Sequence, residues 1–179
     1  AVVKYVVVLH GNGDGTFASI HPFVGIAGVR QFVWADLNGD GNPDAALIDG
    51  SGQLHVFIND RLGKFHEQLV PAGFSGASAV AVADVNHGGT LGLLTARKSG
   101  AITSLALADD GKTWVTSDIE TVPDAANYLA GDVRLRVADL DNNGAFDLLL
   151  APVASAQNPL IWLQGENGKF QLMKNTSAP

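Results

Sequence analysis

The sequence predicts an all-β protein of about three and a half four-stranded antiparallel units, arranged as β-propeller blades that form part of a larger propeller. Three observations carry this prediction. An acidic nonapeptide recurs three times, a polar glycine turn ending in an aromatic recurs four times, and short apolar runs separate them at hairpin spacing. The two landmarks alternate. From acidic segment to aromatic (Asp36 to Phe65, Asp84 to Trp114, Asp139 to Phe170) the separations are 29, 30 and 31 residues. From aromatic to the next acidic segment (Phe17 to Asp36, Phe65 to Asp84, Trp114 to Asp139) they are 19, 19 and 25. Four short strands per period of about fifty residues mark propeller blades. The predicted units are 1–26, the outer half of a blade; 27–75, a blade with a calcium loop; 76–128, a blade with a degenerate loop; and 129–179, a blade with a calcium loop.

The elements follow in order. Val2–Leu9 and Phe17–Val24 match only the third and fourth strands of a unit, joined by the glycine-rich turn Gly11–Gly15. The first full unit places strands near Gln31–Ala35, Ala45–Ile48, Leu54–Asn59 and Lys64–Val70. The second places them near Ala79–Ala83, Leu93–Ala96, Ile102–Ala106 and Trp114–Ile119. The third has Leu135–Ala138, Leu148–Ala151, Leu160–Leu163 and Phe170–Met173. Glycine-bearing turns separate the runs at hairpin spacing. First strands apolar on both faces fit strands sandwiched between neighbouring sheets. Ala35, Ala83 and Ala138, each just before an acidic segment, point to a crowded position near an axis. The six extra residues of the third interval fall within Thr121–Asp132, where Pro123–Tyr128 predicts one helical turn.

Residues 36–44, Asp-Leu-Asn-Gly-Asp-Gly-Asn-Pro-Asp, carry oxygen side chains at positions 1, 3, 5 and 9 and glycines at 4 and 6. Ca²⁺ takes about six to eight oxygens at about 2.3–2.6 Å. Asp36, Asn38, Asp40 and Asp44 can supply side-chain oxygens, and Asn42 a carbonyl. Gly41 permits the sharp turn such a loop needs. The spacing resembles the start of an EF-hand loop, but position 12 is Leu47 and the apolar flanks are too short for two helices. In the third segment Asp139, Asp141, Asn143 and Asp147 repeat the pattern, with Ala145 as the carbonyl donor and Gly144 at position 6. The middle segment, Asp84 to Gly92, has glycine at positions 5 and 9 and one carboxylate, against three in each of the others. Affinity follows ligand charge and number, so the expectation is two Ca²⁺ ions per chain and none at Asp84.

The stretches Val33–Asp44 and Asn12–Phe17 resemble the FG-GAP/VCBS family of calcium-loop propeller repeats, and the resemblance runs over essentially the whole chain. It implies a propeller with Ca²⁺ between the first and second strands of a blade, at Asp36, Asn38, Asp40, Asn42 and Asp44 and at Asp139, Asp141, Asn143, Ala145 and Asp147. It also implies an extracellular or periplasmic setting, secreted or at the surface. Clean Phe-Gly and Gly-Ala-Pro elements are absent, Gly73–Ala77 being the nearest approach, which favours the VCBS side.

Composition narrows the rest. The formal charge is −7 with scattered Lys and Arg, so no basic face for nucleic acid is expected. No apolar run approaches the ~18 residues of a membrane span, and Ala1–Leu9, interrupted by Lys4, reads as a strand rather than a signal peptide. Zero cysteines exclude disulfides and thiolate metal sites. Gly73–Ala77 misses the nucleophile elbow at its last position, and no helix follows Gly11–Gly15 to bind phosphate. The five histidines (His10, His21, His55, His66, His87) lack metal-ligand spacing and are expected in surface or interstrand places. Trp34 and Trp162 are expected in interblade packing and Trp114 in the core. Asn175-Thr176-Ser177 is a glycosylation sequon.

The expected function is non-enzymatic: a calcium-binding propeller segment acting as an extracellular structural or recognition module, with a protein or glycan ligand. The alternatives are a carbohydrate-binding lectin, or a non-catalytic piece of a polysaccharide-active enzyme. Propellers typically close with about four to eight blades. The remaining blades are therefore expected from a longer parent or from another chain.

Overall fold

The computed structural model describes residues 6–61, 63–84, 88–154 and 156–173. Fourteen strands form one two-stranded and three four-stranded antiparallel sheets. The half-blade pairs β1 (Val8–Gly11) with β2 (Phe17–Ile20). Blade one runs β3 (Gln31–Ala35), β4 (Asp44–Ile48), β5 (Leu54–Asn59), β6 (Phe65–Gln68). Blade two runs β7 (Ala77–Ala83), β8 (Gly92–Arg97), β9 (Ala101–Leu107), β10 (Trp114–Thr121). Blade three runs β11 (Val133–Ala138), β12 (Asp147–Pro152), β13 (Leu160–Gln164), β14 (Phe170–Leu172). Each sheet is a meander in sequence order. The described sheets are blade-like units and do not close a ring. The sequon at 175–177 and residues 1–5 of the first predicted strand lie outside the described residues.

Alternation along the strands fills the spaces between blades. Val33, Ala46, Ile48, Val56 and Ile58 of blade one meet Val80, Leu93, Leu105 and Leu107 of blade two. On blade two's other face Ala79, Ala81, Leu94, Ala96 and Ile102 meet Leu135, Leu148, Leu150 and Trp162 of blade three. The expected helical turn is α1 (Ala125–Tyr128). It sends buried Tyr128 into this second core, where the hydroxyl donates to the carbonyls of Leu150 and Asn158 at 2.8 and 3.0 Å. Burial raises the Tyr128 pKa.

The inner strands converge on one buried side chain. Gln31 of β3 donates from Nε2 to the Ser78 and Val133 carbonyls at 2.6 and 2.9 Å, and its Oε1 accepts from Val80 N–H at 3.2 Å. One amide thus ties blade one to blades two and three, across 102 residues of chain to Val133. An Arg30–Asp132 ion pair lies beside it.

Two expectations need correction. Among first strands only β7 is buried on both faces; β3 exposes Phe32 and Trp34, and β11 exposes Arg136. The alanines before the loops differ accordingly, Ala83 being buried, Ala35 half-buried and Ala138 exposed. The outward faces of β3 and β11 have no full blade against them, because a two-stranded unit precedes the one and no described sheet follows the other. Trp162 is interblade core as expected, and half-buried Trp114 packs against the first core with its Nε1 donating to the Leu69 carbonyl. Trp34 is not interblade core. It is 41% exposed and stacks on Phe65 within its own blade, centroids 5.7 Å apart.

Candidate metal centre

Each acidic loop joins a blade's first and second strands, and the two full loops fold through the same hydrogen bonds. Position 1 caps the turn. Asp36 accepts from the N–H groups of Gly39, Asp40 and Gly41 at 2.8, 3.1 and 2.8 Å. Asp139 accepts from Asn143 and Gly144 at 3.2 and 3.0 Å. At position 3, Asn38 Oδ1 and Asp141 Oδ1 each accept from the residue two ahead at 3.1 Å. At position 5, Asp40 and Asn143 accept from Asn42 and Ala145 N–H at 2.8 and 2.7 Å. Asn42 and Ala145 thus point their N–H groups into the loop, and a carbonyl is what each main chain can offer an ion. The turn demands left-handed backbone at positions 4 and 6. Gly41 and Gly144 have φ of 82° and 86°, and at position 4 Gly39 (75°) is matched by Asn142 (62°). Asn is one of the few side-chain-bearing residues that tolerates this region.

Position 9 anchors the loop to the blade. Asp44 is fully buried and accepts from Leu37 N–H at 2.8 Å and Asn59 N–H at 2.9 Å. Asp147, also fully buried, accepts from Leu140 at 2.7 Å and Gln164 at 2.8 Å. Asn59 and Gln164, at the ends of β5 and β13, therefore belong to the site. The sequence reading missed them. Their shared signal is a position six residues before the aromatic landmark, Phe65 or Phe170.

The electrostatics follow from these contacts. Asp40 is held below the usual carboxylate range by hydrogen bonds from the Asn42 backbone and side chain, with a smaller contribution from Arg61. Asp44 is pushed up, first by burial and further by the charges of Asp40 and Asp36, against its two N–H donors. Crowded carboxylates of this kind favour a cation, which removes the repulsion that raises the pKa.

One carboxylate oxygen each from Asp139, Asp141 and Asp147 lies within 4.8 Å of the other two. Oxygens bound to one Ca²⁺ at about 2.3–2.6 Å are at most roughly 5 Å apart, so the donor set fits that ion. Among the described residues the three carboxylates of the first loop do not form such a group. The reason is positional. The gathered residues occupy positions 1, 3 and 9, and in the first loop position 3 is the amide of Asn38, while the third carboxylate sits at position 5 and binds Asn42. In the middle loop Asp84 caps Gly88 and Gly89 at 3.0 and 2.7 Å, as position 1 does elsewhere. Gly92 supplies no anchoring carboxylate there, and a Cβ on it would stand 2.9 Å from the Leu105 carbonyl. Val85, Asn86 and His87 lie outside the described residues.

Other candidates resolve as expected. Gly73–Ala77 is a loop and Gly11–Gly15 a hairpin turn. His55 bridges Asp49 and Glu67 between strands, and exposed His66 pairs with Asp60.

A sequence model of the FG-GAP-like repeat matches residues 4–47 and again 36–95, together just over half of the chain. The chain belongs to the FG-GAP-like repeat family. Both matches contain the first acidic loop, and the third unit, which lies beyond them, repeats its hydrogen bonds atom for atom at positions 1, 3, 5 and 9. Among curated proteins none matches the chain. FG-GAP-like repeats build β-propeller-like recognition modules and are typical of extracellular proteins. Among the described residues no helix is long and apolar enough to cross a membrane.

Proposed function

We propose that this FG-GAP-like chain is a calcium-binding recognition or structural module working outside the cytoplasm, and that its chemistry is binding rather than catalysis. The observation that carries the reading is the gathering of Asp139, Asp141 and Asp147 to within the span of a single Ca²⁺ shell. In the third loop Asp139, Asp141, Asn143 and Asp147 would hold the ion with the Ala145 carbonyl. In the first, Asp36, Asn38, Asp40 and Asp44 would do so with the Asn42 carbonyl. The ion supplies positive charge that neutralises the carboxylates and locks the strand-to-strand connection. The chain's residues supply the preformed loop, capped by Asp36 and Asp139 and anchored by Asp44 and Asp147. The further blades are proposed to come from a longer parent or another chain.

Calorimetric titration of chelator-stripped protein tests this. The expected stoichiometry is two Ca²⁺ per chain, with affinity in the extracellular-module range of about 10⁻⁴–10⁻³ M or tighter. Zero sites, or three, overturns the assignment.

A further inference from the structure

The two interblade spaces differ in a way the repeat does not require. On the side facing blade one, Leu105 and Leu107 of β9 and Trp114 of β10 fill the space. On the side facing blade three, the alternate residues Ser104 and Ala106 of β9 and Ser117 of β10 are small, as are Ala83 and Gly92. They leave a cleft of about 630 Å³ between these strands and the β13–β14 hairpin. That volume falls within the range of small-molecule sites, about 300–1,000 Å³.

A second observation singles out this cleft. Gln164 lines it, is 4% exposed, and its Oε1 is buried with no hydrogen-bond partner. The amide cannot be turned over to correct this. Nε2 donates to the Gly168 carbonyl, and reversal would set oxygen against oxygen. Buried polar atoms are satisfied in the great majority of cases, so an orphaned acceptor beside a cleft marks where a donor is to arrive.

We propose that this cleft binds a small neutral polyhydroxylated ring, of the chemical class of a monosaccharide, one of whose O–H or N–H groups donates to Gln164 Oε1. This names a ligand class for the recognition module proposed above, and it stands whether or not the loops hold ions. Neutrality follows from the lining, where Glu120 and Lys169 oppose each other and Asp118 accepts from Thr103 Oγ1 in its own blade. Phe170, Ile119 and Val115 offer an apolar wall for the C–H face of a ring, and Thr90, Ser104 and Ser117 bring hydroxyls.

The test is a ¹H–¹⁵N NMR titration of the labelled chain with glucose, galactose, mannose and N-acetylglucosamine, in calcium and again in chelator. At least one sugar is expected to give saturable shifts at the Gln164 side-chain amide and at the backbone amides of Ser104, Ala106 and Phe170. Gln164→Met keeps the volume and removes the acceptor, so affinity should fall about ten-fold, the loss of roughly one hydrogen bond. Ala106→Leu fills the cleft as Leu105 and Leu107 fill the opposite side, and should abolish the shifts while the spectrum stays folded. No shifts with any of the sugars at millimolar concentrations, or shifts unchanged in both variants, would overturn the proposal. So would the same shifts appearing with arginine or lysine methyl ester and with none of the sugars. Loss of binding in chelator alone would tie the cleft to the loops; absence of calcium binding with sugar binding intact would sink only the calcium reading.

Discussion

Replacing Asp147 by Asn separates what the loop carboxylates do for the fold from what they would do for an ion. Asp147 is fully buried and holds two N–H donors, Leu140 at 2.7 Å and Gln164 at 2.8 Å, one on each oxygen. In the variant one oxygen becomes an NH₂ facing an N–H. One charge-assisted bond is lost, worth about 1.5–3 kcal/mol, and a buried donor is left unpaired at about 1–3 kcal/mol. The two costs overlap and removal of a buried charge offsets part of them, leaving about 2–4 kcal/mol. At about 2–4 °C per kcal/mol for a chain of this size, Tm should drop by roughly 5–15 °C in chelator.

Asp141→Asn is the control. Asp141 is exposed, its bonds to Asn143 stay within the loop at 3.1 and 3.2 Å, and an amide keeps one acceptor. In chelator its cost should stay within ~0.5 kcal/mol. In calcium at 100 times the dissociation constant, an occupied site adds about 2.7 kcal/mol, and this variant should forfeit most of that. Calorimetric melting of both variants in the two buffers gives the pattern: Asp147→Asn low in both, Asp141→Asn low in calcium alone. An Asp147→Asn protein melting with wild type in chelator would refute the anchoring argument. Equal shifts of Asp141→Asn in both buffers would refute the ion assignment.

Three further outcomes are expected. Asp84→Asn should shift Tm by the same small amount in calcium and in chelator, since its loop lacks the anchoring carboxylate; a calcium-specific loss would place an ion there. Asp49, although burial works against it, is lowered to about 2 by donors from Ser51, Gln53 and His55. Its folded pKa lies below the unfolded value, so its stabilisation is complete above pH 3.8 and is lost as pH falls from there to about 2. Discounted for its partial exposure, the effect is about 1–2 kcal/mol; Asp49→Asn should flatten the acid limb of an unfolding-versus-pH curve, and an unchanged limb counts against it. Gln31→Leu should cost about 2–4 kcal/mol in urea unfolding by leaving the Ser78 and Val133 carbonyls and the Val80 N–H unpaired; a neutral result would mean the inner strands hold together by apolar contact alone.

The strands were legible because this family writes its turns in strong chemistry. The ends of β3 and β5 coincide with the expected bounds, since glycine, Asp and Asn punctuate the apolar runs on both sides. Even α1 was visible, as an insertion in an otherwise constant spacing. Gln31 was not. Nothing local distinguishes a Gln at the start of an apolar strand, and its role depends on Ser78 and Val133, brought there by two intervening blades. Trp34 was misread for a related reason: a tryptophan in a strand says it prefers burial, while its exposure depends on what lies against the outer side of the sheet. Asn59 and Gln164 escaped because they serve the loop through backbone N–H groups, which carry no residue signature.

The distribution of intact and degenerate loops follows the packing of the blades. Blade two, whose loop has lost its carboxylates, contributes to both interblade cores, and β7 is buried almost throughout. Its inner strands are fixed from both sides by apolar contact, so the strand-to-strand connection needs no further restraint. Blades one and three each pack a full blade on one face only. There the turn between the first two strands is held from one side and by its own chemistry, and both retain the buried position-9 carboxylate with its two N–H donors. Side-chain burial and acidic loop thus act as alternative ways of fixing the same hairpin. The Gly92 position shows the exchange directly. Where Asp44 and Asp147 stand in the flanking blades, blade two brings the Leu105 carbonyl so close that no side chain fits, and packing has taken the place of the anchor.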